Sequence, residues 1–311
     1  MHIESYNPAL CGLWDEAVAA ARNGTFLHRR GFMDYHANRF EDCSLLLLDD
    51  KDNVLALLPA NRIEDIVFSH GGLTYGGLLL GARFTQRECS EAFERIAQHY
   101  LARGIRQVVY KPVPHIFHRC PAEDDLYALY RIGARLVRRD PSSAIDLGSP
   151  LPFQKGRKWC INKARKGGVV LNTTSDPTDF HALLTSVLAR HGAVPVHNLL
   201  ELELLIGRFP DSLKLFEARS NDNLMAGILI FDFSLVAHTQ YMAVSEEGRE
   251  LGALDLLIAY LIRDVYASRR YVSLGTSIDP RSSALNVGLI AQKEGFGART
   301  VVNDTYEWDL T

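Results

Sequence analysis

At 311 residues the chain exceeds what one hydrophobic core organises, so about two domains are expected. Its 47% hydrophobic and 23% charged residues fit an ordinary globular protein, and a net charge of −3 excludes a globally basic nucleic-acid binder, DNA included. Five cysteines without a CxxC pair suit a reduced, cytoplasmic compartment. The start of the chain lacks a basic stretch followed by an apolar run, and apolar runs such as "LLLL" at 45–48 are too short for membrane insertion.

In chain order, "SLLLLDD" (44–50) and "DNVLALL" (52–58) predict a hairpin, and "IVFSHGGLTYGGLLL" (66–80) a third strand. A helix over 85–104, a strand "RQVVYKP" (106–112), a helix over 122–133 and a strand "ARLVRRD" (134–140) follow. Prolines at 150 and 152 mark a linker, and six Lys/Arg then fall within 155–166. The second half opens with a hairpin, "LKLFEAR" (213–219) and "LMAGILIFDF" (224–233), and a strand "LVAHTQYMAV" (235–244). Leu254, Leu257, Ile258, Leu261, Ile262 and Val265 have helical spacing within 250–270. A strand (271–277), a helix (283–295) and a strand pair (298–310) complete the chain.

This order occurs twice. At an offset of 164, Arg106 falls on Arg270, Val108 on Val272, Gly133 on Gly297 and Ala134 on Ala298; at 170, "DNVLALL" falls on "DNLMAGI". Duplication predicts an α/β protein of two tandem domains, 1–148 and 149–311, each a mixed, mostly antiparallel sheet flanked by helices.

Several residues are candidates for chemistry. His115 and His118 are three apart, but Pro112 and Pro114 make their segment extended and no second cluster completes a coordination sphere, so no metal is expected. Lys111 with these histidines lies past the end of a central strand, where a phosphate or carboxylate would bind or where a proline-stiffened loop would face solvent. Tyr75 lies among glycines that allow close approach of backbone to a ligand, or that form an irregular strand edge. Arg157, Lys158 and Arg165 belong to the basic segment, either a solvated face or an anion site interleaved with Trp159. His238 and Tyr241 share a strand and point to opposite faces unless a bulge intervenes. Asp304 and Tyr306 share a face and could orient an amine, or form an exposed strand edge.

The element order, "QKEGFGAR" (292–299), "RKWCINKARKGG" (157–168) and "YKPVPHIFH" (110–118) together resemble the FemAB-like branch of the GNAT acyltransferase superfamily. The resemblance implies two GNAT-like domains. It makes Lys293 the group that stabilises developing negative charge on the transferred acyl group, with Tyr241 and Asp304 as further catalytic candidates. It places an acyl-donor pyrophosphate at "RELGAL" (249–254), where Arg249, Gly252 and Ala253 stand in a loop pattern whose last small position is here Leu254. Where such enzymes often carry a leaving-group tyrosine, this chain has Ala291. No tightly bound cofactor is implied; acyl-CoA or aminoacyl-tRNA would be a co-substrate.

The expected function is N-acyl or aminoacyl transfer onto an amine of a cell-envelope precursor, peptide or amino sugar. In that reading the first domain binds the acceptor through Tyr75, Lys111, His115 and His118, together with Arg157, Lys158 and Arg165, and the second domain binds the donor. The alternative is a non-catalytic anion- or sugar-binding protein on a degenerate tandem scaffold.

Overall fold

The computed structural model describes residues 1–310 except 191, 280 and 281. In chain order its elements are β1 (His2–Ser5), α1 (Cys11–Ala20), α2 (Arg30–Met33), β2 (Glu41–Asp42), β3 (Leu45–Leu48), β4 (Val54–Leu58), β5 (Asn61–Ile63), β6 (Ile66–Phe68), β7 (Leu79–Leu80), α3 (Gln86–Leu101), β8 (Gln107–Tyr110), α4 (Asp124–Arg131) and β9 (Arg135–Asp146). They continue with α5 (Lys155–Lys166), β10 (Val170–Thr174), α6 (Thr178–Ala189), α7 (Leu199–Arg208), β11 (Leu213–Ser220), β12 (Asn223–Asp232), β13 (Val236–Val244), α8 (Glu246–Leu251), α9 (Ala253–Tyr260), β14 (Tyr271–Thr276), α10 (Val287–Glu294) and β15 (Arg299–Asp309).

Two compact units form, Met1–Asp140 with Val302–Thr311, and Pro141–Val301. The division therefore falls at Asp140 rather than at residue 148, and the last strand segment joins the first unit. Its reason is pairing: Tyr306 lies opposite Tyr110 and Trp308 opposite Val108, which puts Trp308 into the first unit's core beside Phe93.

The second unit runs β10-β11-β12-β13-β14-β9; the first holds β15-β8-β6-β5-β2 and a separate sheet β1-β3-β4-β7. Within each unit the ladders are antiparallel except for one parallel pair. Val67 lies opposite Val108 in the first unit, and Ala237 opposite Val272 in the second. These pairs reproduce the offsets of 170 and 164 found in the sequence. Helix ends repeat too: Gly133 and Gly297 both have positive φ, and the N–H groups of Ala134 and Ala298 donate to Leu129 and Lys293 carbonyls.

Helix starts follow local chemistry. Thr85 with Glu88 and Asn198 with Glu201 form capping boxes on α3 and α7, satisfying N–H groups that have no partner inside the helix. In the second unit, Leu257 and Ile258 of α9 bury against Ile228 and Ile230 of β12. Among the described residues, no helix is long and apolar enough to cross a membrane.

Three expected elements differ. The strand over 66–80 breaks after Phe68, because His70 and Gly77 take positive φ and turn the chain before β7. The helix over 250–270 divides at Gly252, which has φ +80, and closes in a π turn over Leu261–Val265. The final strand pair is the single strand β15.

Candidate functional site

In the second unit β13 and β14 pair only at 236–238 and 271–273, then separate. The register of β13 on β12 slips where Thr239 faces Ile230 and Tyr241 faces Leu229, leaving Gln240 as a bulge. Directly paired residues share a face, so the bulge turns Tyr241 onto the same face as His238. Thr239, Met242 and Val244 lie on the other face. Met242 and Val244 line a cleft of about 750 Å³ there, with Leu274 of β14, Leu254 of α9 and Lys293 of α10.

Lys293 forms one wall of this cleft. It is 4% exposed, and its Nζ donates to the carbonyls of Gly275 (2.9 Å) and Thr276 (2.6 Å) where β14 leaves β13. An ammonium has three N–H donors, and among the described residues two are taken, so one remains for a ligand. Burial pulls its pKa down to about 8, which leaves it mostly charged at neutral pH. On the other strand His238 places Nδ1 3.0 Å from Ser273 Oγ. Burial, then the Lys293 charge, lowers its pKa to about 4, so it is neutral. Among the described residues, Thr239 Oγ1 is buried without a partner.

Tyr241 is tied elsewhere. Its hydroxyl lies 2.7 Å from His197 Nδ1, in the segment joining α6 to α7, and burial raises its pKa. It holds that segment against β13. His197 had no distinguishing signal in the sequence, because the bulge that aims Tyr241 at it depends on pairing with β12.

At the start of α9 the expected anion cradle is altered. Arg249 lines the cleft, but Gly252 and Ala253 are not among its lining residues. A Cβ on Gly252 would lie 2.5 Å from the Cys160 carbonyl, so this glycine serves close packing against α5. Asp255, in the first turn of α9, also lines the cleft and pairs with Arg157 at 2.7 Å. Burial raises the Asp255 pKa, while Arg157 opposes that rise. A carboxylate there competes with a diphosphate for the N–H groups of this helix end, so the residues present do not fit the pyrophosphate of an acyl-CoA well. The sequence showed the acid, but not that it would face Arg157.

Of the basic segment, Arg157 alone of the three candidates reaches the cleft; Lys158 and Arg165 point to solvent from α5. The remaining candidates belong to the first unit. Asp304 is held by Arg139 through bonds of 2.7 and 2.8 Å and lies 3.4 Å from the Tyr306 hydroxyl. Tyr75 is buried between His28 and Phe117. Lys111 donates to Leu73 O at 3.0 Å, its pKa lowered by burial and then by Arg138. His118 lies 2.8 Å from the Val113 carbonyl, whereas His115 is exposed, so the two rings do not converge. Among the described residues, no group of three His, Cys, Asp or Glu could hold a metal ion.

The first unit shows what became of the equivalent cleft. At the offset of 164, Leu274, Leu289 and Lys293 correspond to Tyr110, Asp125 and Leu129. There the Tyr110 hydroxyl donates to Asp125 at 2.7 Å and accepts from Leu78 N–H at 2.6 Å. All three groups are buried, and burial raises the Asp125 pKa to about 7.

Residues 155–291 match the family model described as an acetyltransferase (GNAT) domain. The crystal structure of FemX aligns over 100% of this chain and 98% of its own, with a TM-score of 0.70 at 11% identity. A tandem GNAT protein from the clavulanic acid biosynthesis pathway aligns over 100% and 98%, with a TM-score of 0.52 at 12% identity. The chain has a tandem GNAT fold. The same fold relates it to the C-terminal domain (DUF2156) of a putative lysylphosphatidylglycerol synthetase from Agrobacterium fabrum, over 95% and 92% of the two chains, with a TM-score of 0.63 at 11% identity. Among curated protein sequences, none matches the chain. In this tandem GNAT fold the matched family segment supplies β13, β14 and most of the cleft wall.

Proposed function

We propose that the chain is an acyltransferase that moves an acyl or aminoacyl group from an activated ester or thioester to an amine. The observation that carries this reading is Lys293, a buried ammonium with one free donor on the wall of a cleft where two parallel strands separate. In the proposed reaction the amine nitrogen attacks the acyl carbon, a C–N bond forms, and the bond to the leaving oxygen or sulfur breaks. Lys293 donates to the carbonyl oxygen as negative charge develops there, an interaction stronger in the transition state than before it. The amine proton leaves for the leaving group or solvent.

Donor and acceptor take separate sides in this proposal. The donor enters the cleft lined by Met242, Leu254 and Lys293; Tyr241 and His238, on the opposite face of β13, flank the acceptor amine. The Tyr110–Asp125 pair supports a first unit that has given up donor binding. Asp255 favours aminoacyl-tRNA over acyl-CoA as the donor, since its carboxylate opposes a diphosphate. One of the similar structures is the C-terminal domain of a putative lysylphosphatidylglycerol synthetase by name, which supports an acceptor from the cell envelope.

The test is transfer of a labelled aminoacyl or acetyl group by the purified protein. Lys293→Ala is expected to lower kcat about 100-fold, the usual cost of removing one such donor, with the protein still folded. Unchanged turnover would reject the role of Lys293. Failure of the wild-type protein to transfer from either donor would favour the non-catalytic alternative.

A further inference from the structure

The outer face of α5 has no part in the cleft, and its chemistry is one-sided. Between Asp146 and Asp176 the chain holds no acidic residue, while six Lys/Arg fall on α5. At 100° per residue, Ile161, Ala164, Arg157 and Cys160 form the inner side; the first two are buried, and Arg157 and Cys160 line the cleft. The opposite half-circle carries Lys155, Lys158, Trp159, Lys163, Arg165 and Lys166, all exposed. Among the described residues none of these five cations has an acidic partner. For a chain of net charge −3, this is a local concentration of positive charge that calls for an anionic partner.

Apolar groups accompany the charge. Trp159 is 64% exposed, with Lys163 Nζ 5.3 Å from its ring centre, and Leu151 and Val170 on either side of the helix are exposed as well. A nucleic acid would use cations and an aromatic platform, but it gains little from exposed valines and leucines. A bilayer uses both: lysines meet anionic headgroups, and tryptophan with aliphatic side chains enters the boundary beneath them.

We infer that the α5 face docks this unit on a membrane surface bearing anionic lipid headgroups, with the cleft bordered by the docking helix. Each cation near such a surface contributes about fivefold in affinity, so five together contribute on the order of a thousandfold at moderate salt. The association is peripheral and reversible. It would deliver the cleft to a lipid-borne substrate, but the binding itself requires no catalysis and can be measured apart from transfer.

Tryptophan fluorescence gives a direct reading. Of the three tryptophans, Trp14 and Trp308 are buried and Trp159 faces water, so an environmental change at the surface reports Trp159. The full chain is titrated with vesicles of phosphatidylglycerol and phosphatidylcholine, and with phosphatidylcholine alone, with co-sedimentation in parallel. Expected are a blue shift and sedimentation with the anionic vesicles only, weakening as salt rises. Lys155→Glu with Lys163→Glu should weaken binding by more than about tenfold, and Trp159→Ala should abolish the shift while leaving sedimentation weakened. These exposed positions are substituted without disturbing the core, which circular dichroism verifies. Absence of anionic-vesicle binding overturns the inference, as does equal binding to both vesicle types. A Trp159 response to a single-stranded RNA without vesicle binding would make this an RNA surface instead. Self-association that buries Trp159 would make it an interface between copies.

Discussion

Lys293 carries opposite consequences for stability and for chemistry. Its duplicate position is Leu129, an apolar residue buried without cost, whereas the Lys293 ammonium is held in a site that lowers its pKa from 10.5 to about 8. The sign follows from proton binding. Below pH 8 the native state carries the full penalty of a buried charge; between 8 and 10.5 the unfolded chain binds more protons, so stability rises with pH. Lys293→Leu removes this contribution. Denaturant titrations should show the wild type gaining up to about 3 kcal/mol relative to Lys293→Leu between pH 7 and 11. A flat difference across that range would mean that the carbonyls of Gly275 and Thr276 fully compensate burial. Activity should move the other way, falling as pH rises through about 8 and the ammonium loses its proton. Tyr241→Phe is a milder change: it removes the bond to His197 and should cost about 1 kcal/mol in thermal unfolding, with no loss expected below that.

The elements explain why some candidates were legible in the sequence and others were not. The place of Lys293 on the cleft wall follows from a local segment, "QKEGFGAR", whose glycine turn with Phe296 is set by neighbouring residues. Asp304 could not be placed, because its role depends on Arg139, which is 165 residues away and reached only through strand pairing. The same holds for His238 and Tyr241: period two puts them apart, and a single bulged residue, Gln240, brings them onto one face. Gly252 was legible as special but for another use, since it closes the approach of α9 to α5 rather than opening a phosphate cradle. Gly252→Ala combines a left-handed backbone with a clash on the Cys160 carbonyl and should destabilise by roughly 2–4 kcal/mol in denaturant unfolding. Gly156→Ala, in the first turn of α5 with open space around it, should stabilise by up to about 0.5 kcal/mol. Equal effects at the two positions would remove the packing argument for Gly252.

At the scale of the molecule, duplication was the most readable property, because matching glycines, arginines and strand ends recur at fixed offsets without any knowledge of contacts. The exchange of its last strand segment was not readable: 302–311 follow the second unit in sequence and complete the first unit in space. A chain ending at residue 301 should therefore lose Trp308 and Leu310 from the first unit's core and the partner of β8. Limited proteolysis should then cut within 1–140 while 141–301 persists; equal resistance of both units would contradict the division. The duplicated units have diverged in chemistry, one filling its cleft with Tyr110 and Asp125 and the other leaving space beside Lys293. That contrast makes the second unit's cleft the centre of the account. The most direct measurement of it is calorimetric titration of the wild-type protein and Ala291→Trp, which blocks the cleft from α10, with aminoacyl-tRNA and with acetyl-CoA. The expected result is that one donor binds the wild type, and that the substitution weakens this binding at least tenfold in a folded protein. Binding of neither donor, or binding indifferent to the blocked cleft, would contradict the assignment of this cleft as the donor site.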